Sequence, residues 1–210
     1  AVFLPGLVRA ASTQGDVGFL SLLEGMGARV VDVPPSDSSD GGVVVAGPAG
    51  GAARAGGVAL AGDSTIEPCT AGLLGMAALV PAAVAAGAVG TTRITGVANQ
   101  RVKECNRITA LATEFAKCGV DISELPDGLV IRGKGGQSEP EGGAAPPSVH
   151  GYDDHRVAMS LAVLTATGTL PCSAVCLDDA WCVEKTYPTF WADWTTVLSG
   201  GAVAPDNAPP

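Results

Sequence analysis

Apolar residues along the chain recur at helical spacing in several stretches, and each stretch is followed by a shorter β-like run. Phe19, Leu22, Leu23 and Met26 fall on one helical face after Gln14-Gly15-Asp16, and Gly27 stops that helix. Ala28 to Val33 then reads as a strand and Gly42 to Ala46 as its partner. The plan repeats further on. Ile108, Leu111 and Phe115 line a second helix, with Glu104 in register at its head. Gly119 ends that helix, Val120 to Leu125 is a strand, Pro126-Asp127-Gly128 a turn, and Leu129 to Arg132 the returning strand. A third helix begins after Asp153-Asp154 and runs through Val157 to Leu164. A fourth begins near Pro188, with Phe190, Trp191, Trp194 and Leu198 on its apolar side. Ser36 to Gly41 and Gly133 to Ser148 read as exposed loops, and residues 200–210 as a linker or tail. Repeated helix-plus-hairpin units predict an α/β (α+β) domain over residues 1–199, with sheets outward and helices packed inside.

The uncharged stretch from Ala71 to Thr92 approaches the length that spans a bilayer, about 20 residues. It is mostly Ala and Gly and is interrupted by Pro81, so it reads as a buried core helix followed by a turn, not a membrane span. A net charge of −9 argues against general affinity for nucleic acid or anionic membrane. An anionic ligand must therefore be met by locally concentrated Lys and Arg. The six cysteines, Cys69, Cys105, Cys118, Cys172, Cys176 and Cys182, include no C-x-x-C pair, and there are two histidines. Free thiols in a reducing compartment are expected, and no metal site. The start, Ala1-Val2-Phe3-Leu4-Pro5, reads as a cut into a longer polypeptide.

Of 12 Lys and Arg residues, Arg101, Lys103, Arg107, Arg156 and Lys185 fall in three short segments, each expected at a helix start. Helix N-termini already carry unpaired N–H groups and partial positive charge, so cations there favour an anion site. Lys103 and Arg107, four apart on the expected helix, would repel each other unless something negative lies between them. Glu104 at the mouth of the apolar face is suited to proton transfer, its basicity set by burial against neighbouring cations. Each segment also has a plainer reading: a solvated helix start with a Glu104–Arg107 pair, an Asp cap beside a surface His155, and an exposed Lys185 next to a helix cap.

Together, the motifs are more specific. Asn99-Gln100-Arg101-Val102-Lys103-Glu104-Cys105-Asn106-Arg107, Glu124-Leu125-Pro126-Asp127-Gly128, Tyr152-Asp153-Asp154-His155-Arg156 and Glu184-Lys185-Thr186-Tyr187-Pro188 follow Thr13-Gln14-Gly15-Asp16 in that order. The combination, from about Val2 to Leu198, resembles the C-terminal half of the 5-enolpyruvylshikimate-3-phosphate (EPSP) synthase family. The wording is closest to the version inside the pentafunctional AROM polypeptide of the shikimate pathway. The resemblance implies an inside-out α/β barrel domain, incomplete without an N-terminal half. It also implies transfer of the enolpyruvyl group from phosphoenolpyruvate to the 5-hydroxyl of shikimate-3-phosphate, with no metal or organic cofactor, in the cytoplasm or a plastid. By motif position Arg107, Arg156 and Lys185 resemble phosphoenolpyruvate binders, and Asn99 and Lys103 contacts to shikimate-3-phosphate. Glu104 resembles the acid/base for the methylene proton, the resemblance places Lys185 and His155 with it as catalytic candidates, and Asp154 is a further substrate-binding position. One departure stands out. Where the family has a catalytic Asp, an ungapped match places Ala71, so a degenerate domain with a structural or assembly role is the rival expectation.

Overall fold

The computed structural model describes residues 1–13, 15–36, 41–47, 64–66, 79–135, 145–167, 170 and 174–199. Ala71, Cys69, Cys172 and the 200–210 tail lie outside these residues, as do most of the two expected loops.

The repeat is present, and it is larger than the sequence pattern indicated. Strand β1 (Val2–Pro5) leads into helix α1 (Gly18–Gly25) and then strands β2 (Arg29–Val33) and β3 (Gly42–Ala46). These strands form a sheet in the order β1-β3-β2, antiparallel throughout. After β4 (Ser64–Ile66) and α2 (Leu79–Gly87), the same unit recurs as β5 (Val89–Ile94), α3 (Arg107–Lys117), β6 (Asp121–Leu125) and β7 (Gly128–Lys134). Its order is β5-β7-β6, again antiparallel, with β4 added parallel to β5. A third, shorter copy places α4 (His155–Ala166) between the paired strands β8 (Ser148–Val149) and β9 (Cys176–Leu177). Helix α5 (Phe190–Leu198) closes the described chain.

Both repeats end their helix with the same device. Gly27 and Gly119 have φ of 98° and 80°, a conformation that costs glycine little. The N–H of Ala28 donates to Leu23 O and that of Gly27 to Glu24 O. Val120 donates to Phe115 O and Gly119 to Ala116 O, so each helix closes in a Schellman motif.

Strands β2 and β6 are exposed at three of five positions and half-buried at the other two, as expected of a sheet with one wet face. The helices fill the inside. Leu79, Ala82, Ala83 and Ala86 of α2, Ile108, Leu111 and Phe115 of α3, and Val157, Leu161 and Leu164 of α4 form one core with Ile94, Leu129 and Ile131 from the sheet. Alanine on α2 lets it lie close against both α4 and β7. Gly133 on β7 sits where a Cβ would strike the carbonyls of Ala85 and Ala88, so the helix end and the strand touch through backbone. Pro81 lies in the first turn of α2, where no intrahelical N–H is needed.

Several expectations need correction. The segment after α2 is strand β5, not a turn. The second helix starts at Arg107, so Glu104 lies outside it and Lys103 and Arg107 do not share a helix. β7 runs on to Lys134, and Ser148 already belongs to β8. No helix among the described residues is long and apolar enough to cross a membrane.

Candidate active site

Arg107 is the first residue of α3 and its side chain has 0% exposure. A buried guanidinium is tolerable only with its donors satisfied and its charge matched. Arg107 Nε donates to Asp154 Oδ2 at 2.6 Å and Nη2 to Oδ1 at 3.2 Å. Nη1 donates to Gln100 Oε1 at 3.1 Å, and Nη2 also to Glu104 Oε2 at 2.6 Å. Asp154 is likewise fully buried, whereas the Glu104 side chain is 40% exposed. The negative partner expected near Arg107 is thus a carboxylate pair, one member inside and one facing out. Burial alone would push Asp154 up. The hydrogen bonds and charge of Arg107, the Arg156 N–H and the Cys105 thiol outweigh it and hold the carboxyl below the usual aspartate value.

Asp154 also caps α4, accepting the Arg156 N–H at 3.0 Å. One side chain therefore ties the start of α3 to the start of α4. Beside it, His155 is pushed down by burial, with Asp154 opposing, so the imidazole is neutral at pH 7. Arg156 Nε is buried and has no hydrogen-bond partner among the described residues. A buried unpaired donor costs free energy and is rare in folded proteins.

Asn99 and Lys103 lie exposed on the segment before α3, the first in the 3-10 turn Ala98–Val102. Arg101 fastens this segment to the β6–β7 hairpin. Its Nε donates to Pro126 O at 2.8 Å, Nη2 to Leu125 O at 2.6 Å, and Nη1 to Glu124 Oε1 at 2.6 Å. Asp127 accepts the Gly96 N–H and its carbonyl the Val97 N–H. The Glu124 to Gly128 motif is therefore the anchor of the Asn99 to Arg107 motif.

Lys185 is exposed at the end of the 3-10 turn Ala180–Lys185, five residues before α5. Its segment does not open a helix as expected. It is carried instead by Cys182 and Val183, which pack on Ala158 and Ala162 of α4. Cys105, half-buried, places Sγ 3.6 Å from Asp154 Oδ2. Burial and Asp154 push that thiol up to about 12, so it is protonated and unreactive. Cys118, Cys176 and Cys182 are also free thiols.

Sheets outside, helices within and a cluster of charged side chains at the heads of α3 and α4 define the enolpyruvyl-transferase type of α/β domain. The chain belongs to the EPSP synthase (3-phosphoshikimate 1-carboxyvinyltransferase) family, whose model matches residues 3–194. It is 48% identical over 122 residues to a pentafunctional AROM polypeptide of Yarrowia lipolytica, covering 58% of this chain and 7% of that protein. To the pentafunctional AROM polypeptide of Mycosarcoma maydis it is 40% identical over 194 residues, covering 89% of this chain and 10% of the relative. The solved EPSP synthase of Acinetobacter baumannii superposes with a TM-score of 0.64 at 26% identity, covering 87% of this chain and 38% of that one. The chain thus spans a tenth or less of these curated relatives and well under half of the solved enzyme.

Proposed function

We propose that this chain supplies one wall of an enolpyruvyl-transfer site, acting on phosphoenolpyruvate and shikimate-3-phosphate when joined to an N-terminal half, within an AROM-type polypeptide. The buried, unpartnered Nε of Arg156 carries the reading. The Arg156 guanidinium, on a residue only partly buried, provides charge-assisted donors for a phosphate or carboxylate oxygen beside a helix N-terminus. Lys185 and Arg107 complete the phosphoenolpyruvate side, and Asn99 and Lys103 the shikimate-3-phosphate side. Glu104 occupies the outward N–H of Arg107, so a bound anion would compete for that donor and free the carboxylate. The released Glu104, once it has taken up a proton from solvent, would deliver it to the methylene carbon, the carbon–carbon double bond supplying the electron pair. The 5-hydroxyl oxygen then bonds to the adjacent carbon as its own proton passes to solvent water. Return of the methylene proton to Glu104 and breakage of the carbon–oxygen bond to phosphate give EPSP and phosphate. Donors fixed in place stabilise the leaving phosphate without reorganisation.

The full polypeptide should release phosphate when both substrates are saturating, and Arg156→Glu should abolish phosphoenolpyruvate binding by calorimetry. Unchanged affinity would remove Arg156 from the site. The rival reading, a degenerate domain with an assembly role, is motivated by Ala71 at the expected catalytic Asp position. No detectable phosphate release would favour it.

A further inference from the structure

Asp154, His155 and Arg156 are delivered by an unusual turn. Tyr152 and Asp153 both have positive φ, 62° and 53°. Left-handed backbone is tolerated by Asp but not favoured by an aromatic residue, so two in succession persist only when the surroundings hold them. Two carboxylates from other parts of the chain do so. Asp179, mostly buried at the head of the Ala180–Lys185 turn, accepts the Gly151 N–H at 2.7 Å through Oδ1 and the Asp153 N–H at 2.6 Å through Oδ2. Glu114, fully buried on α3, accepts the His150 N–H at 3.1 Å and the Tyr152 hydroxyl at 2.8 Å, with Lys117 Nζ supplying the countercharge. Gly151 completes the fit, because a Cβ there would fall on Asp179 Oδ1. His150 Nδ1 also lies 2.6 Å from Asp178 Oδ2, and the three acidic and imidazole groups sit close together. Both oxygens of Asp179 are nonetheless taken by backbone N–H groups, which makes it a framing group.

We infer that Asp179 is a positioning residue of the phosphoenolpyruvate site, locking the 151–153 turn that leads into α4 and so fixing where Arg156 is placed. The inference rests on the functional reading above. Asp179 also heads the turn that ends at Lys185, so one carboxylate sets the relation between two of the three proposed phosphoenolpyruvate binders. It touches no reacting atom in this role. Its loss should therefore weaken binding of one substrate without an equal effect on the other.

The test compares the wild-type polypeptide with Asp179→Asn, which keeps the shape but offers one N–H acceptor where two are needed. Gly151→Ala displaces the carboxylate without removing it. Steady-state kinetics should show the phosphoenolpyruvate KM raised by about tenfold or more in both variants, with the shikimate-3-phosphate KM within about twofold of wild type. Amide exchange measured by mass spectrometry should be faster at residues 151–153. An unchanged phosphoenolpyruvate KM would overturn the inference, as would equal rises in both KM values alongside a lowered unfolding midpoint. Wild-type protein that releases no phosphate would defeat the functional reading instead. In that case unaltered exchange at residues 151–153 in Asp179→Asn would defeat the positioning role separately.

Discussion

Two arginines in this chain each grip one Asp and one Glu, in opposite surroundings. Arg9 grips both oxygens of Asp32 and one of Glu24; Arg107 grips both oxygens of Asp154 and one of Glu104. Each belongs to a β-α-β-β unit of the same topology. The Arg9 group is partly open to water on all members, whereas Arg107 and Asp154 are sealed. Water screens the first cluster and makes it nearly replaceable. In the second, each charge depends on the other, because neither could remain buried alone. Topology was repeated, but only one copy had its polar cluster enclosed by a neighbouring helix, α4, and that copy carries the candidate site.

The contrast should be largest in Asp154→Asn. Leaving Arg107 buried without its countercharge should cost about 3–5 kcal/mol in denaturant unfolding at pH 7. Asp154 titrates below its ordinary value in the folded chain, so its ionic contribution is complete above the unfolded value of about 3.9 and is lost as pH falls through the folded one. The gap between wild type and Asp154→Asn should therefore narrow below about pH 4. A gap that stays constant down to acid unfolding would show that packing, not charge, sets it. Arg101→Ala comes next, losing three short charge-assisted bonds and two longer ones, to Asn106 Oδ1 and Thr109 Oγ1, at a partly exposed site and costing about 2 kcal/mol. It should also loosen residues 98–106 in amide exchange, while α1 is unaffected. Asp32→Asn should have the smallest effect, a slight lowering of the unfolding midpoint that disappears in molar salt. A loss there as large as at Asp154 would erase the distinction between the two clusters.

The helices of both repeats and their stops were legible because 3.6-residue periodicity and a glycine in left-handed backbone are local signals. The leading strand of each repeat was not. β5 begins inside the uncharged run that ends at Thr92, where periodicity cannot separate strand from helix or turn, and β1 is a four-residue apolar run with no alternation to read. The start of α3 was placed too early because Glu104 fits the helical register, although Asn106 is the residue whose side chain caps it, accepting the Thr109 N–H. Arg107, Asp154 and Arg156 could be chosen from motif wording. Their supports could not, since Gln100, Glu114 and Asp179 act through contacts formed by folding. Glu114 did leave a trace, a carboxylate on the same helical face as Leu111 and Arg107, which is out of place unless something polar meets it. Asp179 left none, because an Asp before a short turn has many ordinary reasons to be there.

Strand β1 has a practical consequence for anyone trimming the chain. Its four residues cover one edge of β3, whose Gly42 and Val43 are buried. Removing residues 1–6 would strip that edge of its partner and expose a row of unsatisfied N–H and C=O groups flanked by Val43, Val44 and Val45. Such an edge recruits strands from other molecules, so the truncated protein should be lost to aggregation before any defect in its chemistry could be measured.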